Sequence, residues 1–387
     1  MTFLHTADWQ LGKPFATILD PQKRALLQRE RLDAIARLGA VARSEGAEFV
    51  VVAGDVFDSP SPAQSTISAA CAVIGAVGIP FFAIPGNHDH AALESVWRQS
   101  FFAREREALA PKLTVLEHAA PCELPGAVLL PCPAVRRHEA EDATRWITPE
   151  VLQKFGEKPR ILLAHGSVRN FTMRADDDDD KVNYGTNQID LAHLPENDLD
   201  YVALGDWHAA RQVGAKAWYS GTPEPDRFPR GESYDAGNVL IITAERGKPP
   251  AVRKVRTSRV GWHRLDFEFS DNADLASLES RIEQLIGTRA QADTLLLELR
   301  GGLGIETRTR LEQKFEAWDA RLLRLQIFDR TIVVPTSDEL EALTGRVADP
   351  LISRVAAKLV ELSRHSGDEA IVARIALREL HAACQET

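Results

Sequence analysis

The sequence predicts a mixed α/β (α+β) protein in which two sheets pack together under helices, followed by a small α/β unit and a helical tail. Three observations predict it. From residue 2 to 204, short apolar runs alternate with longer stretches of helical spacing. From 217 to 255 the helical pattern gives way to strands and turns. From 263 to 328 a β-α-β-α-β succession repeats the alternation on a smaller scale.

The elements follow in order. Residues 2–6 form a short apolar strand, and 21–45 carry apolar residues near a 3.6 period, with Pro21 suited to a first helical turn. Residues 49–53 (FVVVA) read as a buried strand. Residues 63–77 read as a helix with Ser59 and Ser61 as possible caps. Then come a strand at 81–84, a helix at 91–108, and strands at 113–117, 127–130, 161–164 and 201–204. In the second unit, strands at 263–269, 294–299 and 322–328 alternate with helices at 273–286 and 307–318. Pro335 and Ser337 punctuate the chain before amphipathic helices at 350–364 and 368–383. The domains expected are 1–258, 259–335 and 336–387.

Composition narrows the class. A chain of 387 residues, 44% hydrophobic and 26% charged, fits an ordinary globular protein with more than one core. No apolar run of about 18 residues is present, so no membrane span is expected, and the N-terminus lacks a signal-peptide pattern. Four cysteines without CxxC spacing suit a cytoplasmic setting. The net charge of −10 gives no bulk attraction to nucleic acid, so such binding must rest on local patches.

The chemistry concentrates in five segments, each a buried strand ending in polar residues. They are Asp8-Trp9-Gln10, Gly54-Asp55-Val56-Phe57-Asp58, Gly86-Asn87-His88-Asp89, Ala164-His165-Gly166 and Gly205-Asp206-Trp207-His208. Ligands bind at strand ends in α/β sheets, and the glycines permit tight turns and close backbone approach. Carboxylates, an amide oxygen and imidazoles together suit Mn²⁺, Mg²⁺, Fe²⁺ or Zn²⁺.

With GDxxD, GNHD and GxxH in this order, the sequence resembles the calcineurin-like metallophosphoesterases. The opening FLHTADWQLGKPF, the later YSGTPEPDRF and the appended small domain resemble the nuclease subunit of the bacterial SbcCD repair complex, including its YhaO-like branch. The resemblance implies a four-layer metallophosphoesterase double β-sandwich flanked by helices, with a small capping domain and two divalent metal ions, Mn²⁺ foremost. It also implies hydrolysis of phosphodiesters in DNA, a homodimer, and docking on an SbcC-like coiled-coil ATPase. By the same resemblance, Asp8, Gln10, Asp55 and His208 would hold the first metal. Asp55, Asn87, His165 and Asp206 would hold the second, with Asp55 bridging. His88 would stabilise the transition state or protonate the leaving group, Asp89 would orient His88, and Asp58 would support the site from behind.

Two positions depart from the family pattern, which has histidine where Gln10 and Asp206 stand. They remove two nitrogen ligands and add a negative charge, which shifts the expected preference toward Mn²⁺ or Mg²⁺ over Zn²⁺. The metal motifs also admit a small-substrate phosphodiesterase or phosphatase, or a weakly active or non-catalytic scaffold.

Other features carry two readings each. His5, His90, His118, His138, His193, His263, His365 and His381 read as surface or core residues, and Trp9 and Trp207 as packing beside the ligands in preference to base stacking. The run Asp176 to Asp180 is a solvated loop or a guard at the site's mouth. Arg253, Lys254 and Arg256 lie in a basic stretch that is either a DNA-binding face or an ordinary strand pair. Leu351, Val355, Leu359 and Leu362, with Ile371, Ile375 and Leu380, either meet a partner or dock on the chain's own core.

Overall fold

The structure is a computed structural model; it describes residues 1–169, 186–229, 234–347, 349–365 and 367–385. The aspartate run at 176–180 lies outside the described residues. The chain divides into two compact units, Met1–Val260 and Gly261–Thr387, and the terminal helices belong to the second.

The first unit opens with β1 (Thr2–Thr6), α1 (Pro21–Ser44), β2 (Val50–Ala53), α2 (Gln64–Val77), β3 (Phe81–Ile84), α3 (Ser100–Leu109) and β4 (Leu113–Val115). It continues with β5 (Cys122–Glu123), β6 (Val128–Cys132), α4 (Pro149–Leu152), β7 (Arg160–His165), β8 (Ser167–Val168) and β9 (Gln188–Ile189). It closes with β10 (Tyr201–Gly205), β11 (Arg211–Gln212), β12 (Ala217–Tyr219), β13 (Asn238–Thr243) and β14 (Ala251–Arg256).

Two six-stranded sheets result, ordered β14-β13-β1-β2-β3-β4 and β11-β12-β10-β7-β6-β5. Their central strands, β1-β2-β3-β4 and β12-β10-β7-β6, run parallel. Period-two alternation explains the layers. Val51 packs with Phe3, Ile84, Leu129, Leu163 and Tyr201 between the sheets. Its neighbours Val50 and Val52 face the opposite way, among Ile35, Leu38, Ile67 and Ile74 of α1 and α2. Burial on both faces is why FVVVA lacks a polar alternation. On the far side of the second sheet, Leu130, Leu162 and Leu204 pack against Ile147, Leu152, Leu194 and Leu199. The outcome is the expected two packed sheets, with helices on one side and short helices and loops on the other.

The helix expected at 91–108 begins only at Ser100. Only a short 3-10 turn, Val96–Arg98, precedes it, and tertiary partners take several of the other polar groups there. Ala91 N–H donates to Ala134 O, Val96 N–H to Pro60 O, and the Trp97 indole to Asp89 O. These bonds replace a helical ladder. Helix α2 has Ala63 at its N-cap and no side-chain cap, so Ser59 and Ser61 do not cap it.

The second unit contains β15 (Gly261–Phe269), α5 (Asp274–Ile286), β16 (Asp293–Leu303), α6 (Ile305–Arg321) and β17 (Arg324–Val333). The three strands form one parallel sheet ordered β15-β16-β17. Helices α5 and α6 cover one face through Leu278, Ile282, Leu311 and Trp318. Then follow α7 (Ser337–Thr344), α8 (Pro350–Ser363) and α9 (Asp368–Gln385). Glu339 completes a capping box with Thr336 and also accepts the Ile305 and Glu306 N–H groups, which ties α7 to the start of α6. Leu359 and Leu380 pack around Ile305, Leu343, Ala356 and Leu377, so part of the apolar tail serves the unit's own core. Leu351, Val355, Ile371 and Ile375 stay exposed.

Candidate metal centre

The polar segments sit at the carboxyl ends of β1, β2, β3, β7 and β10, where the two sheets meet. Asp8, Gln10, Asp55 and Asp206 all adopt positive φ values, 56°, 41°, 55° and 105°. Such clustering of sparsely populated backbone marks a site held by its surroundings. Arg31, buried in α1, does part of the holding by donating to the carbonyls of Asp8, Trp9 and Glu224. Two glycines permit the close approach. A Cβ on Gly54 would lie 2.2 Å from His165 Nδ1, and one on Gly86 would lie 2.1 Å from Asp55 Oδ1.

Asp8, Asp55 and His165 are buried, and one potential ligand atom from each lies within 4.8 Å of the others. Asp206 joins them from the second sheet. Its N–H donates to Asp8 Oδ1 at 3.1 Å, and its own Oδ1 is 3.8 Å from His165 Nε2 and 3.5 Å from Asn87 Nδ2. Ser167 Oγ holds the other Asp206 oxygen at 2.8 Å. The His88 N–H donates to Asp55 Oδ1 at 3.0 Å.

The donor set fits a divalent cation. His165 Nδ1 lies 2.8 Å from the Ala53 carbonyl, which can only accept, so Nδ1 carries the proton of the neutral ring and Nε2 is the ligand atom. That Nε2 is buried 3.5 Å from Asp55 Oδ1 and has no hydrogen-bond partner among the described residues, nor has the buried Oδ1 of Asn87. Buried polar atoms of this kind call for a partner. Burial alone would lower the His165 pKa, but Asp55, Asp8 and Asp206 outweigh it and raise it to about 9. Burial raises the carboxyls of Asp8 and Asp206, the former well above its usual range. Crowded carboxylates that draw a proton onto an imidazole also draw a metal ion.

His208 is oriented by a carboxylate. Its Nδ1 sits 3.0 Å from Asp226 Oδ1, which leaves Nε2 for a metal. Burial lowers its pKa to about 4, so the ring is neutral. Burial would raise the Asp226 carboxyl, but Arg227, His208 and Lys13 hold it well below the usual range. Gln10 Oε1 accepts from Lys13 Nζ at 2.8 Å.

His88 stands beside Asp58 rather than Asp89. Its Nδ1 donates to the Asp58 carbonyl at 3.0 Å and lies 4.0 Å from Asp58 Oδ1. Asp89 instead accepts the Gly86 N–H at 2.7 Å and the Phe57 N–H at 3.0 Å, stapling two site loops together. Burial, then the nearby charge of Asp55, raises its pKa to about 7. The basic stretch lies on β14, with Lys254 and Arg256 on one face and Arg253 on the other. Arg253 and Lys254 are adjacent on β14 and so point to opposite faces, where Glu45 and Asp235 pair with them.

Sequence reading passes over Lys13, Asp226, Ser167 and Arg31. The first two lie inside LGKPF and PEPDRF, segments that carry the resemblance, so a signal for them is present.

The sequence profile of calcineurin-like phosphoesterases matches residues 1–210. The chain belongs to the calcineurin-like phosphoesterase family. Members are metal-dependent hydrolases of phosphate esters, and the cluster around Asp55 lies within the matched region. Among curated proteins, the chain is 24% identical over 317 residues to the SbcD chain of the SbcCD nuclease of Escherichia coli K12, covering 73% of this chain and 74% of that one. It is 24% identical over 243 residues to the DNA double-strand break repair protein Mre11 of Saccharolobus solfataricus, covering 60% of this chain and 57% of that one. The solved structure of TT1561 of Thermus thermophilus is similar to it with a TM-score of 0.40 and 13% identity, over 66% of this chain and 98% of that one. Among the described residues, no helix is long and apolar enough to cross a membrane.

Proposed function

We propose that this phosphoesterase is a DNA nuclease that hydrolyses phosphodiester bonds with two divalent ions, Mn²⁺ foremost. The observation that carries the reading is the meeting of both sheets' strand ends on Asp8, Asp55 and His165, with Asn87 and His165 offering unpartnered ligand atoms. Asp8, Gln10, Asp55 and His208 would hold one ion, and Asp55, Asn87, His165 and Asp206 the other. When bound, the pair supplies an activated water and neutralises charge on the phosphate.

The chain's own residues do the rest. His88 is held by the Asp58 carbonyl as the Nδ1–H form, so its Nε2 is the atom for the phosphate or the leaving oxygen. Asp226 keeps His208 in one orientation. Oxygen ligands outnumber imidazoles in this set, which supports Mn²⁺ or Mg²⁺ over Zn²⁺.

DNA as substrate is supported by the relatives named as nuclease and double-strand break repair proteins. The first of these aligns with 73% of the chain, further than the phosphoesterase profile, which ends at residue 210. A homodimer docked on an SbcC-like coiled-coil ATPase belongs to the same reading, and the exposed row Leu351, Val355, Ile371 and Ile375 supports a partner at the tail. Under Mn²⁺, labelled DNA should be cut in preference to bis-p-nitrophenyl phosphate and small nucleotides. A chain that hydrolyses the small esters and leaves DNA intact would be a small-substrate phosphodiesterase instead.

A further inference from the structure

Lys13 stands at the centre, yet the proposed reaction does not use it. It lies in the loop after β1, where Gln28 Nε2 donates to its carbonyl at 3.0 Å and its N–H turns back to the Gln10 carbonyl at 3.2 Å. The backbone thus aims the side chain inward, and only 23% of it is exposed. Its Nζ is 2.8 Å from Gln10 Oε1, 2.7 Å from Asp226 Oδ2 and 3.9 Å from Asp58 Oδ1.

Gln10 and Asp226 belong to the first metal subsite or stand against it. Gln10 is its amide ligand. The side chain of Asp226 is 1% exposed, and its other oxygen holds the ligand His208. An ammonium bonded to a ligand oxygen takes a share of that oxygen's lone pairs. It also repels any divalent ion that binds the same oxygen.

The subsites then differ in the groups that touch their neutral ligands. The first has Asp8 and the shared Asp55, the neutral Gln10 with the Lys13 ammonium on its oxygen, and the neutral His208 with the Asp226 carboxylate behind it. The second has Asp55 and Asp206, the neutral Asn87 and His165, and, among the described residues, no lysine or arginine ion-paired to its ligands. The two departures from the family pattern therefore act in opposite directions. Gln10 with Lys13 weakens the first subsite, and Asp206, held by Ser167, strengthens the second.

We infer that Lys13 is a resident cation of the first metal subsite, a positioning residue that makes this subsite the weaker of the two and the last to fill. The inference rests on the metal-centre reading above. It gives the protein a graded dependence on metal supply: one ion held continuously, the second admitted only when Mn²⁺ is plentiful.

Mn²⁺ titration of the chelator-stripped full chain, followed by calorimetry and by counting bound ions, tests it without reference to activity. Two uptake steps are expected, with dissociation constants separated by about tenfold or more. Lys13→Met removes the charge and should tighten the weaker step by about tenfold while leaving the stronger step unchanged. Lys13→Gln, which keeps a donor for Gln10 without the charge, should do the same, and Lys13→Arg should retain the wild-type separation. Two steps that are equal in the wild type, or that do not respond to Lys13→Met and Lys13→Gln, overturn the role of Lys13 alone. A chain that takes up no Mn²⁺ in any variant overturns the metal centre itself.

Discussion

His165 Nδ1 lies 2.8 Å from the carbonyl oxygen of Ala53, across the seam between the two sheets. The contact ties the end of β7 to the end of β2 and aims Nε2 at Asp55, 3.5 Å away. Removing the ring should therefore cost metal before it costs fold. His165→Ala is expected to lose the stronger Mn²⁺ step in calorimetry, while the far-ultraviolet circular dichroism keeps its wild-type shape. Undiminished Mn²⁺ uptake would remove His165 from the ligand set.

The same seam explains Gly54. A Cβ there would lie 2.2 Å from His165 Nδ1, and the residue sits at φ 94°. Gly54→Ala must displace the ring or the strand end, in a backbone conformation that only glycine adopts freely. A loss of about 2–4 kcal/mol in denaturant unfolding is expected, together with weaker Mn²⁺ binding. Wild-type values for both would show that the ring has room to move.

Asp58 and Asp89 separate chemistry from scaffold. The Asp58 carboxylate lies 4.0 Å from His88 Nδ1, whereas Asp89 accepts two buried backbone N–H groups. Asp89→Ala strands both donors and should lower stability by about 2–5 kcal/mol. Asp58→Ala should leave the melting temperature near wild type and reduce kcat with little change in KM. The reverse pattern would return Asp89 to the role that its place beside His88 in the sequence suggests.

His5 gives a pH signature of its own. It is fully buried against Tyr201 OH at 2.9 Å, and burial lowers its pKa to about 3. The unfolded chain binds a proton near pH 6.5 that the folded chain refuses. The stability contributed by neutral His5 is thus complete above pH 6.5 and falls by about 1.4 kcal/mol per pH unit below it, down toward pH 3. Urea midpoints measured from pH 7 to pH 4.5 should fall less steeply for His5→Gln than for the wild type. Parallel slopes would show that His5 takes its proton in the fold.

Much of this centre is legible in the sequence, for a physical reason. A buried parallel strand appears as an unbroken apolar run, and the polar residue that ends it, such as Asp55 after VVVA, has to lie at the strand's carboxyl end. Contacts between distant segments are not legible in the same way. Asp226 reaches His208 only because the chain between them folds back over a separation of 18 residues. The stretch at 91–99 has helical spacing, but its Ala91 and Val96 N–H groups go to Ala134 and Pro60. The basic run near Arg253 is plain in sequence, while the acids that pair with it come from Glu45 and Asp235, far along the chain.

Cleavage of end-labelled DNA by the full chain under single-turnover conditions, in chelator and then in Mn²⁺, with His88→Ala alongside, tests the proposed centre most directly. It predicts no cutting in chelator, cutting on addition of Mn²⁺, and a rate at least about 100-fold lower for His88→Ala, with DNA affinity retained. Cutting that persists in chelator, or a His88→Ala rate equal to wild type, would contradict it.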